Sequence, residues 1–493
     1  MLKIDIANSP VRQPEKWLRG IGFMLAFVII AFIIKYFGSV AGVLILLIPF
    51  AAAFTVISFN KPIVAVYVLF FYSFFVFALG RYVIKDFFPA GILFDGLLVF
   101  AYLILLLKGI TGKVEWARMK DAPFVLLAIW LIYCMLSLTN QESPGFDAWI
   151  LSARSHLYMV LSIPLFCLLI DAKSLKTMII LWGVFSMIMT LKGFAQQHIG
   201  LDAADHAFLS IDNHTHMLWG KLRVFSFCSD AGQFGVQQAH AATLGAILFL
   251  GAKNFKQRIF FLFMALTGVY GMFVSGTRGA IFVVLGGALA YCALIRNTKL
   301  LILGVILAGG FYGFMRYTYI GSNIYAIHRM RTALHPSDDP SYMVRINNQK
   351  ILRAHLASRP FGGGLGSMEH GAKGSLLKEI PHDSGYVLIW GDQGIVGLCM
   401  FIGILLVFLI KGTLDVWFRI KNEWLRGILI ALIAGISGDA IANYGNPVLM
   451  QHPTCILFFF TIAVIYAAPR LDKSLEDQVV EGKTPTQLTK IKF

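Results

Sequence analysis

Long apolar runs alternate with short polar connections along nearly the whole of the 493-residue chain. A helix needs about 20 mostly apolar residues to cross the hydrocarbon core of a bilayer, and about fourteen runs come close to that length. Backbone groups in lipid must find their hydrogen-bond partners within the chain, so runs this long predict helices. The pattern therefore predicts an all-α polytopic membrane protein with about 12–14 transmembrane helices. The predicted spans are residues 20–36, 39–58, 62–80, 90–107, 122–139, 152–170, 176–196, 232–251, 259–275, 279–295, 299–315, 385–410, 426–443 and 449–467.

Composition excludes an ordinary soluble protein. Hydrophobic residues make up 58% of the chain, charged residues only 14%, and the mean hydropathy is +0.73. A soluble domain carries about a quarter charged residues, and so much apolar surface cannot be hidden from water. The six cysteines are scattered without a CxxC motif. We therefore expect them to act as small buried hydrophobes rather than as disulfides or zinc ligands.

The distribution of basic residues predicts the topology of the chain, whose net charge is +16. Short cytoplasmic loops of membrane proteins are enriched in Lys and Arg, whereas long loops are largely exempt from this rule. With the N-terminus inside, most of the basic residues fall in short inner segments. We expect a cytoplasmic N-terminal segment at 1–19, a transmembrane helical domain at 20–470 and a flexible cytoplasmic tail at 471–493. The two large outer loops are 197–231 and 316–384.

The outer loop 316–384 is longer than a simple connection requires, and loops of this length are usually functional or disordered. Helical apolar spacing argues against disorder, at Tyr342, Met343, Val344, Ile346, Ile351 and Leu352. In this predicted amphipathic helix Arg345 and Arg353 share one face, and a Gly-rich turn follows at 361–366. The charges are either a solvated face or a site for a fixed anionic substrate, and their outer position favours the substrate.

Arg278 lies between two predicted spans, in the Ser-Gly-Thr-Arg-Gly-Ala turn at 275–280. A guanidinium at a membrane boundary is costly unless it finds an anion or water. One interpretation is a snorkelling arginine that contacts lipid phosphate. The functional interpretation is a planar, permanently charged fork for a diphosphate. The small residues of the turn would let a bulky headgroup approach the backbone closely.

His382 directly precedes the span at 385–410 and is followed by Asp383. A neutral imidazole, with a pKa of about 6.5, can accept the proton of a hydroxyl. The alternative is one more structural or exposed histidine among the twelve in the chain. No nucleotide fingerprint or metal-ligand spacing is present, so we expect neither a cofactor nor a metal. Asp95 and Asp439 are the main carboxylates within spans, fewer than ion-coupled carriers usually need.

Together these segments resemble the O-antigen ligase and O-antigen polymerase superfamily of bacterial envelope enzymes, over about residues 150–445. The matching pieces are Arg223 followed by Phe225-Ser226-Phe227 and Asp230-Ala231-Gly232-Gln233-Phe234; the turn at 275–280; Arg345 followed by Arg359-Pro360-Phe361-Gly362-Gly363-Gly364; and His382-Asp383-Ser384 followed by Gly394-Ile395-Val396-Gly397-Leu398. Their order agrees with the family. One departure is His382-Asp383, where ligases often have His-Asn.

The resemblance implies a metal-independent, inverting glycosyltransferase of GT-C-like architecture with a large helical periplasmic loop. Its donor would be a glycan on undecaprenyl diphosphate, and its acceptor a second glycan, a lipid A core or a protein. Arg278 and Arg345, with Arg223 as a weaker candidate, would hold the diphosphate, and His382 would act as the base. The protein would be a multi-pass protein of the bacterial inner membrane, surrounded by lipids, with no nucleic-acid partner.

Two other classes of function stay open from the sequence. One is a transporter or flippase for a small anion or a lipid-linked sugar, which needs a polar path through the bundle. The other is a non-catalytic assembly subunit, which would tolerate loss of the predicted site residues. Ligases and polymerases differ in their acceptor, and the sequence leaves that choice open.

Overall fold

The computed structural model describes residues 24, 35, 48–84, 90–211, 216–218, 220–321, 331, 340–369, 376–381 and 384–480. The chain divides into two units, Met1–Val64 and Ala65–Phe493. The described part of the first unit contains the short apolar helix α1, Ile48–Asn60. The predicted span at 20–36 and the first part of the one at 39–58 lie almost entirely outside the described residues.

Apolar runs form helices through the rest of the described chain. These are α2 (Ile63–Leu79), α3 (Ala90–Ile110), α4 (Phe124–Leu136), α5 (Phe146–Leu169), α6 (Ala172–His198), α7 (Ala203–Ile211), α8 (Ala231–Gly251), α9 (Phe255–Val274), α10 (Ala280–Leu294), α11 (Thr298–Tyr317), α12 (Pro340–Leu356), α13 (Leu376–Glu379), α14 (Gly385–Phe418), α15 (Glu423–Ala442) and α16 (Thr454–Val480). A π-helical turn, Gly80–Ile84, extends α2, and 3-10 turns Trp116–Asp121 and Ser137–Thr139 flank α4. One antiparallel hairpin, Met217–Leu218 with Lys221–Leu222, is the only sheet among the described residues.

The helices confirm the predicted fold class. Within the described ranges, eight helices are long and apolar enough to cross a membrane, and three shorter apolar helices accompany them. Every predicted span from residue 62 onward overlaps a helix. The chain is therefore an all-α polytopic membrane protein, and the loop helix predicted around 342–352 is present as α12.

The C-terminal segment differs from the expected flexible tail at 471–493. Helix α16 continues through that segment to Val480. Leu471 and Leu475 are buried, and the Asp472 carboxylate accepts hydrogen bonds from the backbone N–H groups of Lys421 and Asn422 at 3.1 and 2.9 Å. Because these contacts attach the segment to the bundle, the helix extends beyond its apolar part. Residues 481–493 lie outside the described residues.

Small residues allow close packing of α8, α9, α10 and α15. A Cβ added to Gly268 of α9 would lie 2.7 Å from the carbonyl oxygen of Gln238 in α8. A Cβ on Gly438 of α15 would collide with the backbone of Val283 in α10. Lipid supplies no hydrophobic drive between helices, so association in a membrane depends on this kind of close backbone approach.

These four helices alternate in direction and so define two ends of the bundle. The N-termini of α8, α10 and α14 lie at one end, which we call the loop end, with residues 223–235, 275–280 and 443–453. The C-termini of the same helices lie at the opposite end, which we call the cavity end, with residues 247–257 and 416–427.

Candidate functional site

The turn that carries Arg278 is fixed against the first turn of α8. The Thr277 hydroxyl donates to the carbonyl oxygen of Ala231 at 2.7 Å, and the Thr277 N–H donates to the Ser275 hydroxyl oxygen at 3.1 Å. Gly276 has a φ of +58°, a conformation that favours glycine. The Arg278 side chain is half-buried at this position. A turn held in this way presents its guanidinium from a defined backbone.

Arg223 reaches the same turn from the 197–231 loop. Its Nη2 donates to Thr277 Oγ1 at 3.1 Å, and its backbone N–H donates to the carbonyl oxygen of His216 at 2.8 Å. Two of the arginines predicted to bind anion therefore belong to one hydrogen-bonded unit, since Thr277 is the neighbour of Arg278. The N-terminus of α10 begins immediately after this unit, and a helix N-terminus favours anions.

Arg81 anchors the loop that follows Arg223, a role that the sequence did not reveal. Its guanidinium donates to the carbonyl oxygens of Ser226, at 2.7 Å, and Cys228, and lies over the Phe208 and Phe225 rings at 4.1 and 4.8 Å. Ser226 has a φ of +50°. The Phe225-Ser226-Phe227 part of the motif thus positions backbone rather than exposing a reactive group.

An ionic cluster supports the same loop. Lys192 of α6 contacts the Asp202 and Asp205 carboxylates at 2.7 and 2.6 Å, and the Tyr82 hydroxyl donates to Asp202 at 2.7 Å. Burial alone would raise the pKa of Asp202, but hydrogen bonds from Lys192 and from neighbouring groups outweigh it and lower the pKa to about 2. Asp202 is consequently charged at neutral pH, and the cluster is ionic.

The start of α14 lies at this end of the bundle. His382 and Asp383 themselves lie outside the described residues. Directly after them, the backbone N–H of Gly385 donates to the carbonyl oxygen of Asn443 at 2.9 Å. Three residues further along the chain from Asn443, the Asn446 side chain packs so closely on Gly232 of α8 that a Cβ there would collide with it.

Arg345 is connected to this end through the packing of its helix. Leu352 and Leu356 of α12 are buried in a cluster with Val387, in the first turn of α14. Arg345 is half-buried, whereas Arg353, predicted to share its face, is exposed. This difference distinguishes two arginines that the sequence alone treats alike.

Arg359 has a structural role beyond the end of α12. It forms an ion pair with Glu142 and donates to the carbonyl oxygen of His355 at 2.7 Å. The pair connects the segment that follows α12 to the segment between α4 and α5. Arg359 therefore holds the end of the loop helix in place.

The Gly-rich turn at 361–366 docks onto a break in α14. Gly394 inside α14 has φ +66° and ψ −171°, and this break leaves backbone groups without helical partners. Gly363 N–H donates to Gly391 O at 3.0 Å, and Val396 N–H donates to Pro360 O at 3.2 Å. The glycines at 362 and 394 permit this close approach of two backbones.

Asp392, which the sequence did not single out, joins the same turn to α14. Its buried carboxylate accepts from the Gly366 N–H at 3.0 Å, the Ser367 hydroxyl at 3.1 Å and the Met368 N–H at 2.8 Å. A buried carboxylate is stable only when paired or hydrogen-bonded. Asp392 thus holds the loop that leads to residue 382 against the helix that follows it.

The two span carboxylates identified from the sequence are engaged within the bundle. Asp439 of α15 contacts His240 Nδ1 of α8 at 2.6 Å, and both side chains are fully buried. Asp95 of α3 contacts Arg154 at 2.7 Å and accepts from the Tyr158 hydroxyl at 2.6 Å. Within the described ranges, no three His, Cys, Asp or Glu side chains are placed to hold a metal ion.

Comparison with protein families identifies residues 261–402 as a match to the family model described as O-antigen ligase. The matched region includes the 275–280 turn, Arg345, the Gly-rich turn and residue 382, while Arg223 lies before it. A search among curated proteins finds no match. The resemblance to the O-antigen ligase and polymerase superfamily is confirmed over this region. The match supports a general function as a membrane ligase or polymerase that transfers glycans.

Proposed function

Starting from the match to the O-antigen ligase family, we propose that this protein transfers a glycan from undecaprenyl diphosphate to an acceptor hydroxyl. The reaction takes place on the periplasmic face of the bacterial inner membrane, without a metal, and inverts the anomeric carbon. The observation that carries the proposal is the contact of Arg223 with Thr277, the residue next to Arg278, at the N-terminus of α10.

In the proposed site Arg278, Arg345 and Arg223 bind the diphosphate of the donor. Negative charge grows on this group as it leaves, and fixed guanidinium groups stabilise that charge more in the transition state than in the ground state. Bidentate arginine suits phosphate oxygens better than lysine. The fixed 275–280 turn supports this role, because donors that are already in position do not have to reorganise during the reaction.

His382 acts as the general base. It takes the proton of the acceptor hydroxyl while the hydroxyl oxygen attacks the anomeric carbon and the bond from that carbon to the diphosphate oxygen breaks. Undecaprenyl diphosphate leaves with the bonding electrons. The docked Gly-rich turn and the Asp392 contacts support the role, because they join residues 366–368, before residue 382, to α14, after it.

The reaction requires residues 197–231 and 316–384 to lie outside, and we propose that both termini lie inside. The 316–384 loop then covers the sugars. We expect a cysteine placed at Arg353, which is exposed, to react with a membrane-impermeant maleimide from the periplasm in a background in which exposed Cys399 is replaced by Ser. Labelling of residue 353 only after the membrane is permeabilised would contradict this topology.

Reconstitution tests the function. The purified full chain is incubated in liposomes with a lipid-linked glycan donor and either a glycan or a lipid A core acceptor. We expect transfer with the wild-type chain and loss of transfer with His382→Ala and Arg345→Ala. Arg353→Ala is the matched control for Arg345→Ala, because it removes the same charge from an exposed site on the same helix.

The assay also separates the other classes of function. Uptake of donor into the liposomes without glycan transfer would contradict the proposal and favour a transporter or flippase. In a separate test in cells, normal surface-glycan assembly by a chain that carries both His382→Ala and Arg345→Ala would favour a non-catalytic subunit. Full activity of His382→Ala would show that His382 is not the general base.

A further inference from the structure

A cavity of about 460 Å³ opens at the cavity end of the bundle, remote from the loops described above. Its walls come from the N-terminal parts of α6, α9 and α15 and the C-terminal parts of α8, α10 and α14. Ligand sites in proteins commonly enclose about 300–1,000 Å³. This cavity is therefore large enough for part of a small organic ligand, and the proposed transfer reaction does not use it.

The cavity combines an apolar wall with a basic rim. Ile179, Leu248 and Phe260 contribute to the apolar wall, and Lys176, Arg296 and Arg426 contribute the positive charges. A ligand that satisfies both parts needs an aliphatic segment and an anionic group. A free inorganic anion would leave the apolar wall without a partner.

Glu423 is the one carboxylate among the lining residues, and it does not cancel the basic rim. Its Oε2 lies 2.7 Å from the Lys253 ammonium group, which is highly exposed. The negative charge of Glu423 is therefore shared between Lys253, outside the cavity, and Arg426 of the rim, so that three rim cations face a single carboxylate. The rim keeps an excess of positive charge, which favours an anionic occupant.

Arg296 and Trp417 are held at the rim by defined contacts. The Arg296 guanidinium lies 5.5 Å from the Trp417 ring centroid, and the Trp417 Nε1–H donates to the carbonyl oxygen of Leu294 at 3.0 Å. Trp424 lies nearby in the wall. Indole rings beside guanidinium groups are typical of the level of lipid headgroups in a bilayer.

We propose that this cavity binds one anionic phospholipid, with its phosphate at Lys176, Arg296 and Arg426 and an acyl chain along the apolar wall. Basic pockets between transmembrane helices bind anionic headgroups in this way. The site lies at the end of the bundle where short basic loops cluster, opposite the candidate active site. The proposal does not depend on the transfer activity, since it rests on the cavity and its charges alone.

Native mass spectrometry of the purified full chain measures the binding. The detergent-solubilised protein is titrated with phosphatidylglycerol, with phosphatidylcholine of the same acyl chains, and with inorganic phosphate. We expect one phosphatidylglycerol to bind at least about tenfold more tightly than phosphatidylcholine, and we expect inorganic phosphate not to compete. Equal binding of the two lipids, or competition by inorganic phosphate, would overturn the proposal.

A charge-matched pair of variants tests the rim. Replacing Lys176, Arg296 and Arg426 by Gln should weaken phosphatidylglycerol binding about 100-fold, because each cation near a lipid surface contributes about fivefold. The control replaces Lys173, Lys256 and Arg258 by Gln, which removes the same charge from the same end without touching the lining. Equal weakening in both variants would show only general attraction to lipid and would contradict a defined site.

A second pair of variants keeps every charge. A Cβ on Gly427 would meet nothing within 4 Å, and this residue lines the cavity. Gly427→Phe should therefore fill the space and abolish the tight site. Gly403→Phe on α14 is the control, because Gly403 is equally unobstructed and lies outside the lining. Retention of the tight site in Gly427→Phe would overturn the proposal even if the charge variant failed to fold.

Discussion

The loop end and the cavity end both present arginines, but they hold them differently. At the loop end, Arg278 belongs to a turn fixed by hydroxyl and backbone hydrogen bonds, and Arg223 donates a hydrogen bond to that turn. At the cavity end, Arg296 and Arg426 are exposed at the rim of the apolar cavity. Charges beside a hydrogen-bonded turn suit the stabilisation of a transition state, whereas exposed charges around an apolar wall suit a lipid. The environment of an arginine, rather than its presence, thus separates the two proposed roles.

Removing Arg278 should have the largest effect. Arg278→Ala should lower the rate of glycan transfer about 10²–10³-fold, as expected when one donor to a developing negative charge is lost. The control is Arg258→Ala in the first turn of α9, at the other end of the helix that leads to Arg278. Both variants are assayed in liposomes at equal protein amounts. Equal transfer rates for the two variants would show that the loop end has no special role in the reaction.

The break in α14 provides the next prediction. Gly394→Ala places a side chain at a φ of +66°, against the backbone of Pro360. A non-glycine residue in such a conformation costs about 1–3 kcal/mol, and the collision adds to that cost. Thermal unfolding should occur at a lower temperature, with loss of transfer. Gly403→Ala, in a regular and open part of the same helix, should be neutral or more stable by about 0.5–1 kcal/mol.

Of the three substitutions, removal of the Thr277 hydroxyl should have the smallest effect. Thr277→Val removes the hydrogen bonds to Ala231 and Arg223 without changing the size of the side chain. Each hydrogen bond contributes about 1 kcal/mol, so the loss of both should lower transfer about 30-fold. Thr267→Val is the control, because its hydroxyl bonds only to carbonyl groups of its own helix. Equal activity of the two variants would show that the turn does not need its fixed position.

The apolar runs predicted most of the helices because a span is a local property of about 20 residues. The extension of α16 shows where this reasoning stops. Leu471 and Leu475 are four residues apart and share one helix face, a signal that the polar composition around them conceals. Periodicity, rather than mean hydropathy, would have revealed the longer helix.

The supports of the candidate site were harder to predict than its charged residues. Arg81 contacts Ser226 across 145 residues of sequence, and no local pattern encodes that distance. Asp392 carries a weak signal, since a carboxylate within an apolar span always needs a partner. The partners themselves, at residues 366–368, follow only from the docking of the Gly-rich turn on α14.

The central claim is that guanidinium groups and one imidazole meet at the loop end around a single diphosphate. A cryo-electron microscopy structure of the full chain with undecaprenyl diphosphate in a lipid nanodisc tests it most directly. We predict the phosphate oxygens at about 2.7–3.2 Å from guanidinium nitrogens of Arg278 and Arg345, with His382 facing the same pocket. A diphosphate bound elsewhere, or His382 turned away from both arginines, would contradict the account.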